Sequence, residues 1–141
     1  MDHSDYSADY LKDILSSVKR IALVGASDKP ERASHRVMGF LLEHGYEVIP
    51  VNPGKEGKAI LGQKVVARLA DIEGPVDMVD IFRNSEAAGG VTDEAIAIGA
   101  KVVWMQLNVS HAEAAKRAEK AGLKVVMDRC PKIEYPSVMF D

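Results

Sequence analysis

Three glycines, each at the end of a predicted helix, are followed three residues later by a valine, and this repeated junction constrains the fold more than any other feature. Glycine is favoured just after a helix, where the backbone often takes the left-handed conformation, and a β-branched residue soon afterwards is typical of a strand. Three such helix-to-strand junctions predict alternating βαβ units. The junctions are His44-Gly45-Tyr46-Glu47-Val48, Ile98-Gly99-Ala100-Lys101-Val102 and Ala121-Gly122-Leu123-Lys124-Val125.

Five short apolar runs recur every 23 to 30 residues and fit the strands of those units. Nearly uninterrupted apolar strands are expected in a parallel sheet that helices cover on both faces, whereas a half-exposed antiparallel sheet would alternate. The pattern predicts a doubly wound α/β fold with a five-stranded parallel sheet, most simply in the strand order 3-2-1-4-5. Its ligand crevice would then lie at the carboxyl ends of strands 1 and 4. The runs cover residues 21–24, 48–51, 78–82, 102–105 and 125–127.

Apolar residues at helical spacing fill three stretches between these strands, so each predicted helix packs one face on the sheet. A further amphipathic helix is predicted over about residues 6–18, docked on the same domain. Ser34, Ser85 and the pair of Ser110 and Glu113 stand where they could cap three helices. The segment 52–74 is predicted to be a loop with a short strand or turn and one turn of helix near residues 67–72.

The composition excludes several classes of protein. The chain of 141 residues is 47% hydrophobic and 28% charged, which predicts one folded domain over residues 1–141. A net charge of −3 argues against nucleic acid as a partner. Cys130 is the only cysteine, so the chain cannot form an internal disulfide, and the four histidines lack metal-ligand spacing. No apolar run approaches the roughly 20 residues of a membrane span, so we expect a cytoplasmic protein.

A glycine turn, Gly25-Ala26-Ser27, follows the first strand and leads into a helix near Ser34. Such a turn lets backbone amides approach a phosphate at a helix N-terminus, and Arg36 stands close enough in sequence to contact the same anion. The dinucleotide pattern G-x-G-x-x-G and the ATPase phosphate loop G-x-x-x-x-G-K-[ST] are both absent. A second interpretation stays open, in which Gly25 only forms a tight strand-to-helix turn.

Three further strand ends carry groups suited to a nucleotide ligand. The segment after strand 2 is Asn52-Pro53-Gly54-Lys55, whereas an NAD-binding protein would carry an acidic residue there for the ribose hydroxyls. A lysine at this point favours a phosphate. Strand 3 ends in Phe82-Arg83 and strand 4 in Met105-Gln106, a mixture that suits an adenine ring, a phosphate and a chain of amides. Core packing is the alternative for Phe82 and Met105.

Taken together, these motifs resemble those of the small stand-alone CoA-binding proteins, which are similar to the N-terminal domain of the succinyl-CoA synthetase α subunit. The resemblance covers about residues 12–140 and implies a Rossmann-type fold that binds coenzyme A. It implies no ligase chemistry, because the synthetase's second domain, with its phosphorylated histidine, has no counterpart here. The motifs that carry it are Val24-Gly25-Ala26-Ser27, Val51-Asn52-Pro53-Gly54-Lys55, Ile81-Phe82-Arg83, Trp104-Met105-Gln106 and the segment from Asp128 to Tyr135.

The same resemblance implies a role for each matched residue. Gly25, Ala26 and Ser27 would hold the pyrophosphate. Asn52, Pro53 and Lys55 would lie beside the adenosine and its 3′-phosphate. Phe82 and Arg83 would flank the adenine, while Met105 and Gln106 would face the pantetheine arm.

We therefore expect a protein that binds coenzyme A or an acyl-CoA and acts as a carrier, sensor or regulatory module. No Ser-His-Asp set, pair of carboxylates or Cys-His pair can be assembled from the sequence, so no catalytic activity can be derived from it. Two alternatives stay open: a component of a CoA ligase or transferase that works with a separate subunit, and a nucleotide-dependent oxidoreductase. Cys130 could face the thiol end of coenzyme A, or it could be a buried structural cysteine.

Overall fold

The apolar runs form a single five-stranded parallel sheet in the computed structural model, which describes residues 1–140. Helices α2, α3 and α4 follow strands β1, β5 and β6, as the repeated junctions predict. Two short strands, β3 and β4, form a separate antiparallel hairpin. The strands are β1 Arg20–Val24, β2 Glu47–Val51, β3 Ala59–Ile60, β4 Gln63–Lys64, β5 Met78–Ile81, β6 Val102–Met105 and β7 Lys124–Val126. The helices are α1 Ala8–Ser17, α2 Ala33–Glu43, α3 Ser85–Ala97, α4 Ala112–Lys120 and α5 Pro131–Met139.

The strand order differs from the predicted 3-2-1-4-5. The sheet runs β2-β1-β5-β6-β7, which is 2-1-3-4-5 when only its own five strands are counted. Leu23 of β1 pairs with Pro50 of β2 on one side and with Asp80 of β5 on the other. Both orders allow right-handed crossovers, so the sequence pattern could not distinguish them. The observed order moves the topological switch point, where ligands bind in open α/β sheets, to the gap between β1 and β5.

Helices cover both faces of the sheet, as predicted. Helices α1, α2 and α5 bury residues such as Ile14 and Leu41 against one face, which includes Trp104. Helices α3 and α4 bury small residues such as Ala88 and Ala115 against the other face. Side chains alternate along each strand, so neighbouring strand residues belong to opposite cores.

The N-terminal helix is confirmed, since α1 spans Ala8–Ser17 and buries Leu11, Ile14 and Leu15. Helix α5 was not predicted. It begins with Pro131 directly after Cys130, contains Pro136, and buries only Pro131 and Val138 of its own residues, so it lacks a clear apolar stripe. Helix α5 packs against α1 and α2.

The helix caps also differ from the prediction. Asn84 caps α3 by accepting from the amide of Ala87, and His111 caps α4 by accepting from the amide of Ala114. Helix α2 begins after Arg32 without a side-chain cap. The first amides of α2 are therefore left for another acceptor.

The segment between β2 and β5 contains the predicted short elements. One turn of 3₁₀-helix covers Pro53–Lys55, and a second covers Leu69–Asp71. The β3–β4 hairpin lies between them. Each helix within residues 1–140 is too short or too polar to cross a membrane.

Candidate functional site

Gly25 allows the ends of β1 and β5 to approach each other closely. Its φ is +92°, and a Cβ at this position would lie 2.3 Å from the carbonyl oxygen of Phe82. The amides of Gly25 and Ala26 both donate to the carbonyl of Val51, at 3.0 and 3.3 Å. These two hydrogen bonds hold the loop onto β2, and Gly25 forms a tight turn at the end of β1.

A cavity of about 450 Å³, which we call the polar cavity, lies above this turn. Lys29, Arg32 and Lys55 line it, together with a single carboxylate, that of Asp28. Ala33 and Ser34 also line it at the start of α2, and within residues 1–140 their amides have no acceptor. Free amides at a helix N-terminus and an excess of cationic side chains both favour an anion.

Two contacts shape the mouth of the polar cavity. The side-chain amide of Asn52 donates to the carbonyl of Ala26 at 2.8 Å, while its oxygen accepts from the amide of Gly54 at 2.9 Å, so Asn52 ties the loop after β1 to the loop after β2. Lys55 Nζ lies 3.4 Å from Asp28 Oδ2. The hydrogen bond from Lys55 lowers the pKa of Asp28 below the usual value. Exposed pairs of this kind contribute little to stability, so Lys55 can exchange Asp28 for a stronger anion.

A second cavity of about 300 Å³, which we call the apolar cavity, adjoins the first and shares Ala33 and Phe82 with it. Its walls come from the end of β6, from α2 and from the start of α5. Arg36 and Lys132 are its charged residues. The remaining lining residues are Val37, Gln106, Leu107, Cys130 and Ile133.

The structure brings most of the predicted site residues together. Gly25, Ala26, Ser27, Ser34, Asn52, Lys55 and Phe82 line the polar cavity, while Arg36, Phe82 and Gln106 line the apolar one. Cys130 is buried at 6% exposure and lines the apolar cavity, so it is both a buried cysteine and a wall of the candidate site.

Three predicted residues lie apart from both cavities. Met105 is fully buried in the core beneath α3 and α4, because it alternates with Trp104 and Gln106, which face the other side of the sheet. Arg83 and Pro53 are exposed and line neither cavity.

Sequence reasoning missed several of the lining residues. Lys29 and Arg32 follow the glycine turn within seven residues, and their positive charge was an available signal. Lys132 and Ile133 lie in the matched segment from Asp128 to Tyr135, but the sequence did not place them at the cavity, because helix α5, which carries them there, was not predicted.

A family model described as a CoA binding domain matches residues 19–136. The chain belongs to this CoA-binding domain family. The uncharacterised protein YneT of Bacillus subtilis (strain 168) is 42% identical over 125 residues, which are 89% of this chain and 91% of YneT. A hypothetical protein from Pyrococcus horikoshii OT3 superposes with a TM-score of 0.90 at 40% identity, and 99% of each chain is covered.

A larger enzyme contains a similar domain. The dinucleotide-forming acetyl-coenzyme A synthetase 1 of Ca. Korarchaeum cryptofilum superposes with a TM-score of 0.69 at 25% identity. The match covers 81% of this chain and 27% of the synthetase, so this member of the CoA-binding domain family is similar to about a quarter of that enzyme.

Proposed function

We propose that the protein binds coenzyme A, with the nucleotide in the polar cavity and the pantetheine arm in the apolar cavity. The observation that carries this proposal is that the two cavities meet at Ala33 and Phe82. Coenzyme A has the same division, because a highly charged nucleotide is joined to an uncharged arm that ends in a thiol. Membership of the CoA-binding domain family supports the same ligand.

The charges of the polar cavity suit the phosphates. The free amides of Ala33 and Ser34 and the side chains of Lys29 and Arg32 offer hydrogen bonds to a pyrophosphate. Lys55 follows β2, where an NAD-binding protein would carry an acidic residue. A cation at this point favours a phosphate on the ribose over free hydroxyl groups. Phe82, which borders both cavities, offers its ring to the adenine or to the first part of the arm.

The apolar cavity suits the pantetheine arm. Ligand pockets are usually apolar with a few polar groups that fix orientation, and here Val37, Leu107 and Ile133 line the cavity together with the amide of Gln106. Arg36 lies at the edge and donates to the carbonyl of Glu31. Cys130 lines the same cavity and would lie near the thiol end of the ligand.

We further propose that the protein acts as a carrier, sensor or regulatory module for coenzyme A or an acyl-CoA. The side chains around the two cavities are cations, amides, hydroxyls, apolar groups, one carboxylate and one thiol, a set that suits ligand binding and includes no Ser-His-Asp triad. A role as the CoA-binding component of a ligase is the second candidate, favoured by the similarity to a quarter of an acetyl-coenzyme A synthetase.

Thermal unfolding with added nucleotides tests the proposed ligand. At a ligand concentration about 100 times the dissociation constant, binding stabilises the folded state by about 2.7 kcal/mol, which raises the unfolding midpoint by several degrees. We expect this shift with millimolar CoA and a much smaller one with NAD. Native mass spectrometry of freshly purified protein provides an independent reading of the bound nucleotide. A shift with NAD but none with CoA would contradict the proposal.

A further inference from the structure

A carboxyl group lies in the middle of the sheet, where an apolar side chain would be expected. Asp80 of β5 is fully buried, and its neighbours in register are Leu23 of β1 and Trp104 of β6. No lysine, arginine or histidine within residues 1–140 forms an ion pair with it, and burial raises its pKa well above the usual value. Burying an unpaired carboxyl group is unfavourable for folding, so packing gives no reason for an acid at this position.

Gln106 is the partner of this carboxyl group. It follows β6, is 5% exposed, and lines the apolar cavity. With its amide nitrogen turned toward Asp80, it donates to Oδ1 at 2.8 Å and to Oδ2 at 3.2 Å. Asp80, Phe82, Trp104 and Gln106 all face the side of the sheet that carries α2 and α5, because residues two apart on a strand share a face.

We propose that Asp80 is a positioning residue that holds the Gln106 amide in one orientation, so that its free end, the carbonyl oxygen Oε1, accepts a hydrogen bond from an amide N–H of the pantetheine arm. This inference rests on the proposed function and specifies how the apolar cavity recognises its ligand. Without Asp80, the Gln106 side chain could rotate among several rotamers, since within residues 1–140 its side-chain amide has no other hydrogen-bond partner. The pantetheine arm carries two amide groups, each with a donor and an acceptor, and therefore offers a partner to a fixed amide.

The test compares the full-length wild type with three variants, Asp80→Leu, Asp80→Asn and Gln106→Leu, by calorimetric titration with CoA and with adenosine 3′,5′-bisphosphate, which lacks the arm. Loss of one well-placed hydrogen bond weakens binding about 10-fold. We expect this loss for CoA in Asp80→Leu and in Gln106→Leu, and binding within about 3-fold of the wild type in Asp80→Asn, whose side chain retains a hydrogen-bonding amide. The bisphosphate should bind equally to all four proteins.

Two further readouts separate positioning from a merely structural role. The double variant with both leucines should bind CoA no more weakly than Gln106→Leu alone, because Asp80 acts only through Gln106. Asp80→Leu without ligand should unfold at or above the wild-type temperature, since it removes a buried acid. Thr92→Val is the matched control: Thr92 is also fully buried and polar, but its hydroxyl donates to Ala88 in the core of the opposite face, so CoA affinity should not change.

The outcomes distinguish the two proposals. If the wild type and Asp80→Leu bind CoA equally well, the role proposed for Asp80 is overturned and the proposed function stays intact. Equal losses for CoA and the bisphosphate in Asp80→Leu would mean general damage to the site and would also overturn it. Wild type that does not bind CoA would overturn the proposed function and this inference with it.

Discussion

The polar and apolar cavities meet at Phe82 but are built from different parts of the chain. The polar cavity comes from two short segments, residues 25–34 and 52–55, each next to the end of a strand. The apolar cavity joins α2, the end of β6 and the start of α5, which are far apart in sequence. Backbone turns and exposed charges form the first, whereas tertiary packing forms the second. A change in one cavity should therefore affect a different part of the ligand from a change in the other.

Two carboxylates show the same difference. Asp28 at the polar cavity is exposed, and its hydrogen bond with Lys55 lowers its pKa. Asp80 beneath the apolar cavity is fully buried, and burial raises its pKa. Solvent screens the charges of the polar cavity. The apolar cavity, in contrast, lies above Asp80, whose burial strongly disfavours the ionised form of its carboxyl group.

The largest effect is expected at Gly25, which packs against Phe82, a residue that borders both cavities. Gly25→Ala would place a Cβ 2.3 Å from the carbonyl oxygen of Phe82 and force a left-handed backbone on alanine. We expect a loss of about 3 kcal/mol or more in the free energy of unfolding, together with loss of binding to both parts of CoA. Chemical denaturation and CoA titration measure these effects.

Gly45→Ala is the matched control for Gly25→Ala. Gly45 also has a positive φ, +88°, but a Cβ there would meet no atom within 4 Å. We expect only the cost of the left-handed backbone, about 1–2 kcal/mol, with CoA affinity unchanged. If the two variants lost equal stability, contact with Phe82 would not be the reason for glycine at position 25.

Removing the Lys55 side chain should weaken only the binding of the nucleotide part of the ligand in the polar cavity. A hydrogen bond to a charged group contributes roughly 1.5 to 3 kcal/mol, and we expect the lower end, about 10-fold in affinity, because the lysine is partly exposed and already pairs with Asp28. Wild type should prefer CoA to dephospho-CoA, and Lys55→Ala should lose most of that preference while still binding dephospho-CoA. Calorimetry with both ligands measures the preference.

The controls for Lys55 lie nearby. Asp28→Asn, which removes the competing carboxylate, should strengthen CoA binding, while Lys64→Ala removes an exposed lysine of β4 and should change nothing. An unchanged preference in Lys55→Ala would mean that this lysine does not contact the 3′-phosphate, and Arg32 would be the next candidate.

The buried acid predicts a dependence of stability on pH. The unfolded chain ionises Asp80 near the usual value of 3.8, whereas the folded chain keeps its proton to a higher pH. The folded state thus binds the extra proton, so the contribution of Asp80 to stability is fully present below that value and is lost as pH rises above it. Asp80→Asn has no such proton and should gain stability relative to the wild type between about pH 4 and 7 in urea unfolding. A constant difference over this range would contradict a raised pKa.

The smallest effect on affinity is expected at Cys130. If its sulfur faces the thiol end of the ligand, oxidised CoA should react with it: the Cys130 thiolate attacks the disulfide, a protein–CoA mixed disulfide forms, and one CoA thiolate leaves. Intact mass should show one reversible adduct that dithiothreitol removes, and Cys130→Ser should show none while binding reduced CoA within about 3-fold of the wild type. An unmodified mass in the wild type would leave Cys130 as a packed core residue.

The sequence predicted the polar cavity better than the apolar one. Gly25, Asn52 and Lys55 lie at the ends of strands that their own apolar runs reveal, and the carboxyl ends of parallel strands meet at one edge of the sheet whatever the strand order. Met105 was predicted to face the ligand and is buried on the opposite face instead. A shift of one residue along a strand changes the face, and a fully apolar strand gives no pattern that shows which residue faces which side.

The sequence by itself determined the alternation of helices and strands, because glycine and β-branched residues act through local backbone preferences. Tertiary structure alone decided that β5 joins β1, that α5 closes the apolar cavity, and that Asp80 lies beneath Gln106. These arrangements depend on packing between segments that are distant in the chain. Their favourable free energy comes from contacts between surfaces that form only when the elements pack together. The residue pattern of each element by itself therefore does not reveal these arrangements.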